Sequence, residues 1–141
     1  MNLSAKFITV NQLEIVINQL KEIGDDNDFQ VLLMTPFGFL KGDIEDITDK
    51  DGFMVDSPDN PDAMRIDLSY LVKMKNDFLK DPENQHIEIT NDDGTLNLVN
   101  VEIYKDTFLN PIATLPQMLV FVDQIISCAI VPRENNFEVH E

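Results

Sequence analysis

A chain of 141 residues is of single-domain size, and with 43% apolar and 26% charged residues it is too hydrophobic to stay disordered. Its 26 Asp and Glu against 10 Lys and Arg leave a net charge of −16, which repels phosphate backbones and anionic membranes and attracts basic surfaces. Direct nucleic-acid binding and membrane association are therefore not expected. The opening MNLSAKFITV has neither the charged nor the apolar region of a signal peptide and no apolar run is long enough to span a bilayer, so a cytoplasmic protein is expected.

Taken in chain order, TVNQLEIVINQLKEI predicts a helix over 9–23, with Val10, Leu13, Val16, Ile17, Leu20 and Ile23 at helical spacing. Thr9 and Gln12 fit a capping box, Ile8 and Leu13 a hydrophobic staple, and Gly24 a closing residue. Strand periodicity follows in QVLLMTPF, FLKGDIEDI and the short GFMVD, which an Asp51–Gly52 turn introduces. In MRIDLSYLVKM, residues Ile66, Leu68, Tyr70, Val72 and Met74 alternate with mostly polar ones, predicting a strand with one wet face and a bend at Leu71. NDFLKDPENQ reads as a polar connector that could carry a turn of helix. After it, HIEITNDDGTLNLVNVEIY predicts two strands about an Asp-Gly turn, with Leu96, Leu98, Val101 and Ile103 inward. A proline-containing loop, LNPIATLPQ, leads to MLVFVDQIISCAIVP, the most apolar segment, where Cys128 is expected as a buried small hydrophobe. The fold class is thus α+β and mainly β, in one globular domain spanning 1–141 with a flexible tail at 134–141. Val31 with Ile87 and Gly38 with Gly94 share an offset of 56, so sub-units 9–80 and 84–133 are an alternative division, as a duplicated β-unit.

The helix followed by VLLMTPFGFLKGDIEDI and GFMV resembles the opening of the Sm-like fold, in which an N-terminal helix precedes a strongly bent five-stranded small β-barrel. The likeness covers 9 to about 75 and, without the helix, 86–132, so it implies one bent barrel or two tandem Sm-like units. Gly38 and Gly42 stand at its turn and bend. The family's RNA-binding residues do not carry over. At the first motif Asp51 and Met54 are present but Val55 stands where an Asn is wanted, and DLSYL has neither the Arg nor the Gly of the second.

Catalysis and metal binding lack their residues. If Gly52 or Gly94 takes the glycine position of a calcium loop, Ile47 and Pro58, or Ile89 and Asn100, fall where end ligands belong; what is left is an undirected oxygen cluster at Asp49, Asp51 and Asp56. The histidines, His86 and His140, lie in a connector and a tail, and one cysteine makes no thiolate site. No base–nucleophile arrangement, nucleotide loop or tryptophan sugar platform is present. No enzyme, cofactor or metal is expected.

From Asp43 to Asp67 nine carboxylates face only Lys50 and Arg65, a local net of −7. The candidate partner-binding residues are Asp43, Glu45, Asp46, Asp49, Asp51, Asp56, Asp59 and Asp62, with Met54, Pro58 and Pro61 adding apolar contact area. The expectation is a non-enzymatic acidic protein that docks on a basic protein surface as an adaptor or inhibitor, in its sharpest form a nucleic-acid mimic of the anti-CRISPR, anti-restriction or nuclease-immunity type. The alternative is a self-assembling Sm-like scaffold, a homo-oligomer joined through exposed edge strands. A small-molecule binder or enzyme is the third.

Overall fold

The computed structural model describes residues 4–24, 28–48, 52, 54–56, 64–88 and 94–134, with only the backbone of 54–56 and 64–65. Helix α1 (Ala5–Ile23) starts four residues earlier than its periodicity suggests. Ser4 is the cap, its Oγ accepting from the Phe7 backbone N–H at 3.0 Å. Thr9 lies inside the helix and bonds back to the Ala5 carbonyl at 2.8 Å, so the expected capping box is not formed. Gly24 is extended (φ −166°), not left-handed, because the chain leaves the helix directly toward the sheet. The buried stripe is Phe7, Val10, Leu13 and Ile17, whereas Ile8 and Val16 are exposed and Ile23, at 80% exposure, lies off the core.

Five antiparallel strands form one sheet in the order β6-β5-β2-β1-β7: β1 (Phe29–Thr35), β2 (Gly38–Ile44), β5 (Thr95–Tyr104), β6 (Ala113–Phe121) and β7 (Ser127–Pro132). Strands from both halves of the chain therefore share a sheet. A separate hairpin, β3 (Met54–Asp56) with β4 (Met64–Ile66), lies in the long excursion between β2 and β5. The β1–β2 turn needs Gly38 (φ +153°): a Cβ there would run into the Tyr104 carbonyl oxygen of β5.

The topology forces the sheet to bend. Phe121 pairs with Thr95 at the start of β5, while Ser127 pairs with Met34, which through Phe39 aligns with Tyr104 at the other end of β5. In a flat sheet those corners would stand roughly 35 Å apart, from four strand spacings of about 4.8 Å and nine residue rises of about 3.3 Å. The link between Phe121 and Ser127 contains the 3₁₀ turn Val122–Gln124 and reaches at most about 20 Å. Twist and a bulge must close the difference. The β2–β5 register shifts between Lys41 and Asp43, opposite Asn100, whose φ of +54° marks the irregular residue. The two edges, β6 and β7, are not paired with each other among the described residues, so the expected barrel is an open, bent sheet.

α1 lies against β1, β2, β7 and the 3₁₀ turn. The core joins Val10 to Val31, Leu33, Leu40, Leu98 and Val122, all at most 2% exposed; each such side chain contributes about 1.5–3 kcal/mol by leaving water. Of the predicted inward residues, Leu96, Leu98 and Val101 are buried and Ile103 packs beside them.

Four further expectations are corrected. The strand read through MRIDLSYLVKM ends at Ile66, and helix α2 (Tyr70–Lys80) follows. Asp67 Oδ1 accepts from the Ser69 N–H at 3.0 Å and from Ser69 Oγ at 2.7 Å, a local turn that redirects the backbone into the helix. Leu71, Met74 and Phe78 then share one exposed face, so the alternation was compatible with helical spacing too. His86 and Ile87 are outside any strand, and 89–93 lie outside the described residues. The apolar segment from Met118 to Pro132 divides between β6 and β7, with LNPIATLPQ already entering β6 at Ala113. Cys128 is exposed, because β7 is an edge strand.

Candidate functional site

The acidic residues singled out by sequence are placed unequally. Asp49, Asp51, Asp59 and Asp62 lie outside the described residues, and Asp56 is described only as backbone in β3. Asp43, Glu45 and Asp46 remain, and they differ from one another.

Asp43, near the end of β2, is engaged on both oxygens. Arg133 donates from Nη1 to Oδ2 at 2.9 Å and from Nη2 to Oδ1 at 2.7 Å, while Asn100 Nδ2 and Gln30 Nε2 reach Oδ2 at 3.0 and 3.3 Å. Burial alone would push the Asp43 carboxyl up, but Arg133, Asn100 and Gln30 together outweigh it and hold the group below its ordinary range. The same bonds raise the Arg133 guanidinium further, and Arg133 Nε also meets both oxygens of Asp28 at 2.9 Å. Beneath it Lys41 is fully buried and donates from Nζ to the Arg133 carbonyl at 2.6 Å. Burial lowers the Lys41 pKa, with Glu102 opposing and the Arg133 charge reinforcing. Arg133, next to the expected tail, thus clasps β7 to β2 and to the start of β1.

Glu45 and Asp46 are exposed and stand on the wall of a cleft between α1 and the chain leaving β2, with a volume of about 530 Å³. On the helix side Asn11, Glu14, Ile15 and Asn18 fall on one face, at the spacing of successive helical turns. Opposite them are Ile44 to Ile47 and the first residues of β5, Thr95 to Asn97. Asn97 fixes that wall: its carbonyl accepts from the Glu45 N–H at 3.0 Å and its Nδ2 reaches the Asp46 carbonyl at 3.4 Å. Phe7 closes one end, packed so tightly on Gly94 (φ +97°) that a Cβ there would enter the ring. A smaller cavity of about 160 Å³ shares Glu14, Asn18 and Ile44 with the cleft and reaches Lys21, Asp28 and Arg133.

Glu14 shows the electrostatic state of this cleft. Burial first, then the charges of Asp46 and Glu45, push its carboxyl above the usual value. Sequence reasoning missed Glu14, although its position three residues after Asn11 and four before Asn18 was a signal. It also missed Gln117, which joins the excursion to the sheet. Gln117 Nε2 donates to Asp67 Oδ1 at 2.9 Å and to Asn97 Oδ1 at 2.7 Å, and its Oε1 accepts from the Leu68 N–H at 2.7 Å. Ser69 Oγ completes the bridge by accepting from the Thr48 N–H at 2.9 Å.

Among the described residues no group of three His, Cys, Asp or Glu side chains is arranged to hold a metal ion, and no helix is long and apolar enough to cross a membrane. No family model, curated protein or solved structure matches the chain.

Proposed function

We propose that the protein is a non-enzymatic acidic binding module that docks on a basic surface of a protein partner, as an adaptor or an inhibitor. The observation that carries this reading is the Glu14, Glu45 and Asp46 trio around one cleft, where burial first, and then the charges of Asp46 and Glu45, push the Glu14 carboxyl up and an arriving cation would relieve the repulsion. The net charge of −16 would steer such a partner at long range and disfavour phosphate backbones. A nucleic-acid mimic is the sharpest form of the same reading, with Glu45 and Asp46 among the carboxylates that would take the place of phosphates. Charge reversal at Glu45, Asp46, Asp49 and Asp56 should abolish capture of the partner from host extract at low salt. Undiminished capture by that variant would overturn the reading.

A second reading, self-assembly in the manner of Sm-like scaffolds, is favoured by a different observation. Neither edge strand, ATLPQMLVF or SCAIVP, contains a charged residue, although charge is the common protection of an exposed edge. Light scattering at tens of micromolar distinguishes the two: a monomer at that concentration counts against assembly.

A further inference from the structure

We infer that the free edge of β7 pairs antiparallel with the β7 of a second copy of this chain, with Cys128 opposite Ile130 of the second copy and the two Ala129 residues facing each other on the two-fold axis. The inference rests on the self-assembly reading and narrows it to one strand, one register and a closed dimer.

The register follows from the ladder on the other side of β7. The Arg133 N–H donates to the Asp28 carbonyl at 3.0 Å, one step beyond the aligned pair Phe29 and Pro132. Bonded and non-bonded pairs alternate in an antiparallel ladder, so Val131, Ala129 and Ser127 turn their backbone groups toward β1, while Ile130 and Cys128 turn theirs outward. Two donors that could extend the outward row are withheld: the Ile126 N–H is spent on the Met34 carbonyl at 2.8 Å, and Pro132 has no N–H. The complete donor and acceptor sets at the edge are therefore those of Cys128 and Ile130, with no strand against them among the described residues. Setting Cys128 opposite Ile130 of the second copy joins every one of these groups, each donor to an acceptor. Setting Cys128 opposite its own copy leaves the Ile130 carbonyl facing the spent N–H of Ile126. Setting Ile130 opposite its own copy leaves the Cys128 carbonyl facing Pro132.

Charge selects the occupant and the edge. Two chains of net charge −16 repel each other, so a contact between copies needs surface without carboxylates, and 125–132 carries no charge on any residue. In the inferred register Cys128 and Ile130 cover each other on one face, and on the other Ser127 meets Val131 beside the pair of small alanines. β6 is uncharged too, but Pro116 and the left-handed Asn100 interrupt its pairing with β5 midway, a common protection of sheet edges. β7 has its proline only at the end. A contact confined to 127–132 is smaller than the roughly 20–30 residues a side of a standard interface, so the dimer is reversible.

The test is sedimentation velocity on the full chain from about 10 to about 300 micromolar, the range in which so small an interface associates. The mass is expected to rise from monomer to dimer and no further, and to do so more readily in about 0.5 M salt than in about 20 mM, because salt screens the repulsion between copies. Cys128→Pro removes an outward donor without touching the bonds to β1, and Ala129→Glu sets two like charges on the axis. Each should weaken dimerisation about tenfold or more, with thermal unfolding of the dilute variants as the check on folding. Thiol oxidation by copper phenanthroline reads the register. With Cys128→Ser and Ala129→Cys combined, the thiols sit on directly opposed residues with Cα atoms about 4.5 Å apart, against about 7–8 Å for the diagonal pair of wild-type Cys128 residues. The double variant should therefore form a disulfide dimer at least about tenfold faster than wild type. Wild type oxidising as fast or faster overturns the inference. Association that both β7 variants leave intact, or growth beyond a dimer, also overturns it, while self-assembly then stands through another surface. A monomer at every concentration and salt overturns the inference and the self-assembly reading together.

Discussion

Arg133 and Asp43 meet through two parallel hydrogen bonds, at 2.9 and 2.7 Å, joining the end of β7 to the bulged end of β2. Ninety positions of chain separate them, and the pair ties the edge strand β7 to the central strand β2. Asp43→Asn removes one acceptor and the charge opposite the guanidinium, leaving Asp28 as its charged partner among the described residues. A loss of about 1–2 kcal/mol is expected, since an Arg133 side chain that is 39% exposed is partly screened by water. Urea unfolding checks this. Because the folded-state pKa of Asp43 lies below its ordinary value of 3.8, the contribution is present above that value and disappears as the pH falls through the lowered one. The difference between wild type and Asp43→Asn should therefore shrink in acid.

Glu14 carries the opposite sign. Its folded-state pKa is raised above the ordinary 4.5, so its contribution to stability is complete below that value and is lost as the pH rises through the raised one. Glu14→Gln should be more stable than wild type at pH 7 and indistinguishable from it near pH 4. Urea midpoints of the two proteins, compared at each pH, read this directly.

Gly94→Ala adds a methyl group where φ is +97° and the Phe7 ring already stands. Backbone strain and overpacking together should cost about 2–3 kcal/mol. In a Phe7→Ala background the ring is gone and only the backbone part should remain. A double-mutant cycle by thermal or urea unfolding then gives a non-zero coupling, the double variant losing less stability than the sum of the two single losses.

Gln117→Leu removes the acceptor of the Leu68 N–H and the donor to Asp67 and Asn97 together. Amide exchange should accelerate across 67–80, which the Ser69–Thr48 bond also anchors, while β1, β2 and β5 keep their protection. Uniform acceleration throughout the chain would show that the excursion unfolds only with the core.

Much of the sheet was legible because its strands obey local rules. β1, β2 and β3 were foreseen to within a few residues, since apolar runs between turn residues are a short-range signal, and Gly38 stands at the turn that the Sm-like resemblance implied. α2 was not, because the alternation at Ile66, Leu68, Tyr70, Val72 and Met74 coexists with the helical spacing of Leu71, Met74 and Phe78, and the Asp67–Ser69 turn decided between them. Of the candidate site, Glu45 and Asp46 line the cleft that sequence reasoning had no means to see, and Asp43 is bound to an arginine that stands just before the expected tail.

By itself the sequence determined the charge, the α+β composition and the first helix, because these follow from residue type and from neighbours a few positions apart. Tertiary structure decided which carboxylates are exposed, which one is spent on Arg133, and that Glu14 of the helix joins Glu45 and Asp46. Those facts depend on contacts between residues dozens of positions apart, whose register is set by the bent sheet and which leave no periodic trace in the chain.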